Sequence, residues 1–266
     1  MSFFLWRENL DRFLQRGFNA ASDLEFAINR PRRRLVSRNL SIRDSHKGER
    51  CFILATGPSL NNANADQLAS LSKEHTFAVN SFYKSKIASD VSPSYYVLMD
   101  NHYWGALSDD FERIHSKFVS KAPTFITDVR AKSFVPKEAH AYFLHTKNYP
   151  IARARADMSG NMSITMNVVG TAILSAIHMG FSEVYLMGLD HSLFANLTNN
   201  HCYDDSLDTT ELPKFNLAFY LKYYHLATEF HYLITKTAQE KGVKIVNLSE
   251  GSLLDAYPIR PISYAL

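Results

Sequence analysis

Residues of the kinds that hold phosphates, bind hydroxyls and move protons stand in this sequence at the ends of short apolar runs. Thr56-Gly57-Pro58-Ser59 closes the run from Cys51, Asn80 closes Thr76 to Val79, Asp100 closes Tyr95 to Met99, and Gly188-Leu189-Asp190-His191 closes Glu183 to Met187. A glycine at such a turn lets a phosphate or ribose approach the backbone, and the first N–H groups of a following helix form an anion site. An imidazole there can take a proton near neutral pH. The set suits a nucleotide ligand. It carries neither the lysine of a Walker loop nor the three glycines of a dinucleotide fingerprint, so the commonest nucleotide-binding classes are disfavoured.

The elements that must position these residues follow from the pattern between them. From Arg50 onward β-rich runs alternate with helical ones, which predicts an α/β fold: a Rossmann-like, doubly wound, mostly parallel sheet with ligands beyond the carboxyl ends of its strands. Thr124 to Thr127, Ala141 to Leu144 and Lys244 to Asn247 are further strands. Gly170 to Met179 reads as a helix with Gly180 as its C-cap, and Phe215 to Lys241 as a long helix ended by Gly242. Ser59 is expected to cap the helix continued by Asn64 to Leu71. The polar stretch Ser192 to Pro213 is long enough for a lid. The expected division is a basic amphipathic segment, 1–48, and a sheet domain, 49–266, with a lid at about 191–214.

Composition narrows the class. The 266 residues are 46% hydrophobic and 21% charged, which excludes a disordered chain and fits one folded domain with appendages. No run of about 18 apolar residues could span a bilayer, and no leader is recognisable, so a cytoplasmic protein is expected. Of two cysteines, Cys51 opens an apolar strand and reads as a buried thiol; a Cys/His zinc site is not expected. The first 50 residues hold eleven Lys/Arg against six Asp/Glu, although the whole chain is only +3. Phe3, Trp6, Leu10, Phe13, Leu14 and Phe18 recur there at helical spacing with Arg7, Arg12 and Arg16 between them. Such a helix suits the anionic inner face of a membrane, or equally packs on the domain or on a second copy in a homo-oligomer. No nucleic-acid motif accompanies the arginines.

Taken together, a strand ending in Gly57-Pro58-Ser59-Leu60, a second ending in Asn80-Ser81-Phe82-Tyr83, a helix ending Met179-Gly180-Phe181 and a strand closing with Gly188-Leu189-Asp190 resemble the bacterial CMP-sialic-acid-dependent sialyltransferases of the lipooligosaccharide type. They also resemble a broader family of motility-associated flagellin glycosyltransferases and archaeal hydroxymethylpterin pyrophosphokinases. The similarity spans roughly residues 50–258. It implies a glycosyltransferase moving an acidic sugar from a CMP-linked donor to a glycan or lipid-linked acceptor, with a histidine deprotonating the acceptor hydroxyl. Gly57, Pro58 and Ser59 would then lie against the donor phosphate and ribose, Asn80 against the CMP portion, and Asp190 on the ribose or base. Registering the C-terminal parts on Lys244 to Asn247 and Ser252-Leu253-Leu254 sets the family's catalytic histidine on His225, with His201 and His191 as further candidates. Thr56 and Asp100 stand where the family has asparagines, and its phosphate-steadying tyrosines are replaced near His191 and Ser192. Tyr203 with His201, or Tyr223 and Tyr224, could supply those contacts; Gly170, Thr171 and Gly188 complete the binding set. With no Asp-x-Asp signature, no metal ligand is assigned and no cofactor is required, although Mg²⁺ at Asp100 or Asp190 is allowed for. Two other functions are carried beside this one: ATP-dependent diphosphate transfer to a pterin alcohol, and a non-catalytic nucleotide-binding scaffold.

Overall fold

The structure is a computed structural model and describes residues 3–195, 201–204 and 215–266, with side chains from Trp6 onward. Eight parallel strands form one open sheet in the order β6-β5-β4-β3-β2-β1-β7-β8. They are β1 (Arg50–Leu54), β2 (His75–Val79), β3 (Tyr95–Leu98), β4 (Thr124–Asp128), β5 (Ala141–Asn148), β6 (Asn161–Ser163), β7 (Glu183–Met187) and β8 (Lys244–Asn247). From β1 the chain steps outward strand by strand to β6, then returns through a helix to lay β7 on the free side of β1. The order therefore reverses between β1 and β7, the place where an open α/β sheet holds its ligand.

Alternate side chains of each strand enter two apolar layers. Ile53, Phe77, Val79 and Val97 pack on one face with the returning helix, and Phe52, Leu54, Tyr96 and Phe125 on the other. Burial of one such ring or leucine contributes about 1.5–3 kcal/mol. The returning helix is α5 (Val168–Met179), apolar on all sides because it runs beneath β1, β2 and β3 and is covered in turn by α6 (Leu217–Glu240). Asn167 caps it through Gly170 N–H, and Gly180, at φ 89°, ends it in the left-handed conformation. The opposite face carries α3 (Ala65–Leu71) and α4 (Asp110–Lys117). The N-cap of α3 is Asn64, which exchanges both bonds of a capping box with Gln67, and not Ser59, which lies in a separate 3₁₀ turn.

The segment 1–48 is built into the sheet over its second half. It contains α1 (Phe3–Ile28) and α2 (Arg30–Val36). Asn19 exchanges two hydrogen bonds with the backbone of Tyr149 at 2.7 and 2.9 Å, and Asp23 receives Arg155. Asn39, wholly enclosed, donates to Phe143 O and Met158 O at 2.8 Å. The first half of α1 stays outside, with Trp6 54%, Phe13 69% and Leu14 59% exposed. The expected lid is described only at 191–195 and 201–204; the rest of it lies outside the described residues.

Candidate active site

A cavity of ≈ 570 Å³ opens at the carboxyl ends of β1, β2, β3 and β7. Thr56, Gly57, Pro58, Asn80, Asp100, Thr171, Gly188, Asp190, His191, Ser192, His201 and Tyr224 all line it. The strand-end residues thus meet in one place. Four sequence candidates do not: Ser59, Gly170, Tyr203 and His225.

The floor is a tight junction of the β1 and β7 turns. Gly57 donates to Gly188 O at 2.9 Å, and Ser59 N–H donates to Asp190 Oδ2 at 3.2 Å. Gly57 has an ordinary φ of −70°, so its glycine is required sterically: a Cβ would lie 2.0 Å from Asp190 Oδ2 and 2.5 Å from Gly188 O. The glycine admits the protein's own carboxylate turn rather than a phosphate. Gly188, at φ 74°, is required twice over, since a Cβ there would meet Ala55 O at 2.7 Å. Two non-glycine residues at the strand ends also adopt left-handed backbones, Asn80 at φ 47° and His191 at φ 55°, each costing about 1–3 kcal/mol. The Asn80 turn is braced by Tyr96, whose hydroxyl donates to Asn80 O at 2.7 Å. Asn80 Oδ1 is enclosed with no partner among the described residues, a deficit of about 1–3 kcal/mol that a ligand donor would remove.

On the wall formed by α6, His191 Nε2 lies 2.9 Å from Thr228 Oγ1, and Thr228 donates its one hydroxyl hydrogen to Tyr224 O at 2.8 Å. Thr228 must therefore accept from His191, which fixes the neutral ring as the Nε2–H tautomer and leaves Nδ1 with its lone pair. Burial lowers the His191 pKa to about 4, so the ring is neutral through the physiological range. Tyr224 packs edge-on at 4.6 Å, and burial pushes its phenol and that of Tyr223 up to about 12. Deeper in, Asn167 Nδ2 donates to His231 Nε2 at 2.8 Å, so His231 donates through Nδ1 to Tyr257. Burial holds that ring near a pKa of about 3, and it fixes the cap of α5 rather than facing the cavity.

His225 follows Tyr224 on α6, about 100° round the helix axis. That step carries it out of the cavity and into a second depression between α1 and α6, lined by Arg7, Asp11, Arg12, Lys222 and Glu229. There it is 53% exposed, with Nε2 3.7 Å from Glu229. Gly170 is a packing glycine, its missing Cβ making room for Thr165 and Ile234 at 3.0–3.1 Å. Ser59 sets its backbone, not its hydroxyl, on Asp190, and Tyr203 stacks under His201 at 4.8 Å. Between them Cys202 N–H donates to Thr56 O at 2.7 Å, tying the lid segment to the β1 turn.

Arg130 is a cavity-lining residue that sequence reasoning missed. It lines the cavity beyond β4, held by paired bonds to Asp128 at 2.7 and 3.0 Å, which raise its pKa, and lies over Trp104 at 4.6 Å. It is the one Lys or Arg lining the cavity among the described residues. Its signal was available: the strand-end rule that selected Asn80 and Asp100 selects Asp128-Val129-Arg130 when applied to β4. Thr165 and Asn167, also in the lining, had no signal, because they follow β6, a strand of three residues.

A family profile described as 6-hydroxymethylpterin diphosphokinase MptE-like matches residues 33–195. Among solved structures, the MAf glycosyltransferase of Magnetospirillum magneticum AMB-1 superposes with a TM-score of 0.52 at 14% identity, over 88% of this chain and 38% of that one. The chain thus spans well under half the length of that protein. The sialyltransferase CstII of Campylobacter jejuni, solved with the substrate analogue cytidine-5'-monophosphate, gives 0.48 at 15% identity over 81% of this chain and 86% of its own. No curated protein sequence matches the chain. The doubly wound α/β fold is shared with the MAf enzyme, and the family is the one the strand-end motifs resemble.

Proposed function

The chain belongs to the MptE-like family, and from that premise we propose that it is a glycosyltransferase, taking a sugar from a nucleotide donor to an acceptor hydroxyl. The observation that carries this reading is a neutral histidine whose Nδ1 has no partner among the described residues, at a strand-end cavity where those residues offer one fixed cation. A hydroxyl attacking an anomeric carbon must lose its proton, and His191 Nδ1 is placed to take it. The role moves from His225, whose exposed ring lies outside the cavity. A nucleoside monophosphate leaves readily once its charge is stabilised; Arg130 and the Tyr224 hydroxyl are the groups available, since Tyr223 donates its own hydroxyl to Met166 O. Among the described residues one cation lines the cavity, which suits a single phosphate better than a triphosphate. The assignment of cytidine rests on the motifs around Gly57, Asn80 and Asp190, and the donor is read as a CMP-linked acidic sugar. The exposed Trp6, Phe13 and Leu14 of α1, set among Arg7, Arg12 and Arg16, suit an anionic membrane surface where a lipid-linked acceptor would lie. No described helix is long and apolar enough to cross a membrane.

A second reading is favoured by the pair Asp100 and Asp190, which both line the cavity. Mg²⁺ is often held by one or two carboxylates plus substrate phosphates, so the two would fit an ATP-dependent diphosphate transfer to a pterin alcohol. Mg²⁺ there would neutralise the phosphates, and Asn80 and Arg130 would orient them. Calorimetric titration with CMP, UMP, GDP and ATP, without and with Mg²⁺, separates the two. Selective CMP binding without metal is expected; ATP binding only with Mg²⁺, and none of CMP, would overturn the glycosyltransferase reading. Flotation with anionic vesicles tests the surface, and self-association through the same helix would be read as a dimer in sedimentation.

A further inference from the structure

The opposite, amino-terminal end of the sheet carries a second constellation that the cavity does not use. Glu49 stands just before β1, His75 opens β2, and His46 lies in the turn that ties the N-terminal segment to α5. Both rings converge on one carboxylate oxygen: His46 Nδ1 lies 2.8 Å and His75 Nε2 2.9 Å from Glu49 Oε2. The three ligand atoms all fall within 4.8 Å of one another. We propose that His46, Glu49 and His75 form a binding site for a divalent transition cation of the zinc class, with one coordination position left to water or an external ligand.

The geometry is close to what such an ion needs. Zinc bonds of about 2.0–2.1 Å in a tetrahedron set ligand atoms about 3.3 Å apart, so the carboxylate must withdraw a few tenths of an ångström from each ring, and the two ring nitrogens, within 4.8 Å of each other, must settle to that spacing. His46 is preorganised. Its ring lies flat on Phe181 at 4.5 Å and 9°, with 15% of the side chain exposed, and its other nitrogen, Nε2, is 2.8 Å from Tyr95 Oη. An oxygen on the far nitrogen of a ligating histidine fixes its tautomer and raises its basicity. The Tyr95 hydroxyl can accept from that N–H through a lone pair. His46 turns its edge toward His75 at 4.5 Å, and His75 is 42% exposed, so an ion can enter from solvent. Two imidazoles and one carboxylate favour zinc, nickel or cobalt over magnesium or calcium. A bound ion would join the segment leading into β1 to the start of β2, far from His191.

The test is titration of zinc alone into chelator-treated full-length protein, followed by calorimetry, with Co²⁺ absorption as a report of geometry. One ion per chain and a tetrahedral cobalt spectrum are expected. His75→Ala should weaken binding at least about tenfold, and Tyr95→Phe by about 10–100-fold, the usual cost of losing such a supporting oxygen. His75→Ala removes a half-exposed ring, and retained nucleotide binding would show that the variant is folded. Absence of zinc binding would overturn the proposal. So would binding that persists in a His46→Ala/His75→Ala variant, which would mark an adventitious ion only.

Discussion

Two depressions among the described residues are of nearly equal size, ≈ 570 and ≈ 540 Å³, and the first holds His191 and His201, the second His225; they are built differently. The first is made by strand-end backbone. Two of its residues hold left-handed φ values, its glycines are demanded by contacts under 3 Å, and His191, one of its two histidines, is half-buried with a defined tautomer. The second is made mostly by side chains of two helices, α1 and α6, with Pro150 and Ile151. Its histidine is half exposed beside a carboxylate at 3.7 Å, and nothing in its backbone is unusual. Strain and enclosure, more than the presence of an imidazole, distinguish a site prepared for chemistry from a groove between helices.

The largest effect is expected where the two histidines are compared directly. His191→Ala should lower transfer by about 10²–10⁴-fold, the usual contribution of a general base, while CMP affinity measured by calorimetry stays unchanged. His225→Ala should leave turnover unchanged, and the opposite pattern would reverse the assignment. Gly57→Ala forces a methyl into Asp190 and Gly188. It should cost about 1–3 kcal/mol in chemical denaturation, as overpacking does, and abolish nucleotide binding. Arg130→Gln removes the one cation in the cavity lining among the described residues. It should weaken CMP binding by about ten- to a hundredfold, corresponding to a hydrogen bond to a charged group of about 1.5–3 kcal/mol.

The pH dependence sharpens the same contrast. A base with a pKa of about 4 is deprotonated at neutrality and is lost only by protonation below that value. The profile of kcat/KM should therefore be flat from neutrality down to about pH 5 and fall near 4. An acid limb near 6.5, the ordinary histidine value, would return the role to a solvent-facing ring. Stability should follow a related course. His191 and His231 have folded pKa values of about 4 and about 3, depressed by burial. Above 6.5 both states are unprotonated and the fold is fully stable. As pH falls below 6.5 the unfolded chain takes up protons that the fold refuses, and each group withdraws up to about 1.4 kcal/mol per pH unit until its folded pKa is reached. His191→Gln should shallow that slope in urea denaturation.

The strands were legible because buried parallel strands are short continuous apolar runs, and their carboxyl ends were legible because polarity returns there abruptly. Thr56, Asn80, Asp100 and Asp190 meet as that reading predicts. What was not legible was the face of a helix. In α6, Tyr223, Tyr224, His225, Thr228 and His231 lie within nine positions, and aromatic residues surround the axis. Periodicity alone does not say that Tyr224, Thr228 and His231 look inward while His225 looks away. Ser59 misled for a local reason, since Asn64 and Gln67 satisfy the same helix end reciprocally. Gly57 was read as room for a phosphate or ribose, and the neighbour it makes room for is the protein's own Asp190 carboxylate.

The β1 to β7 seam also orders events in time. Ser59 and Asp190 sit side by side although 131 residues separate them in sequence. A ribosome delivers Thr56, Asn80, Asp100 and Arg130 long before Gly188, Asp190 and His191 emerge, and β7 must then find the open side of β1 across that span, a costly loop to close. The cavity comes into being only when β7 docks, so a nucleotide that binds there would stabilise the finished fold and report that the last strand has arrived.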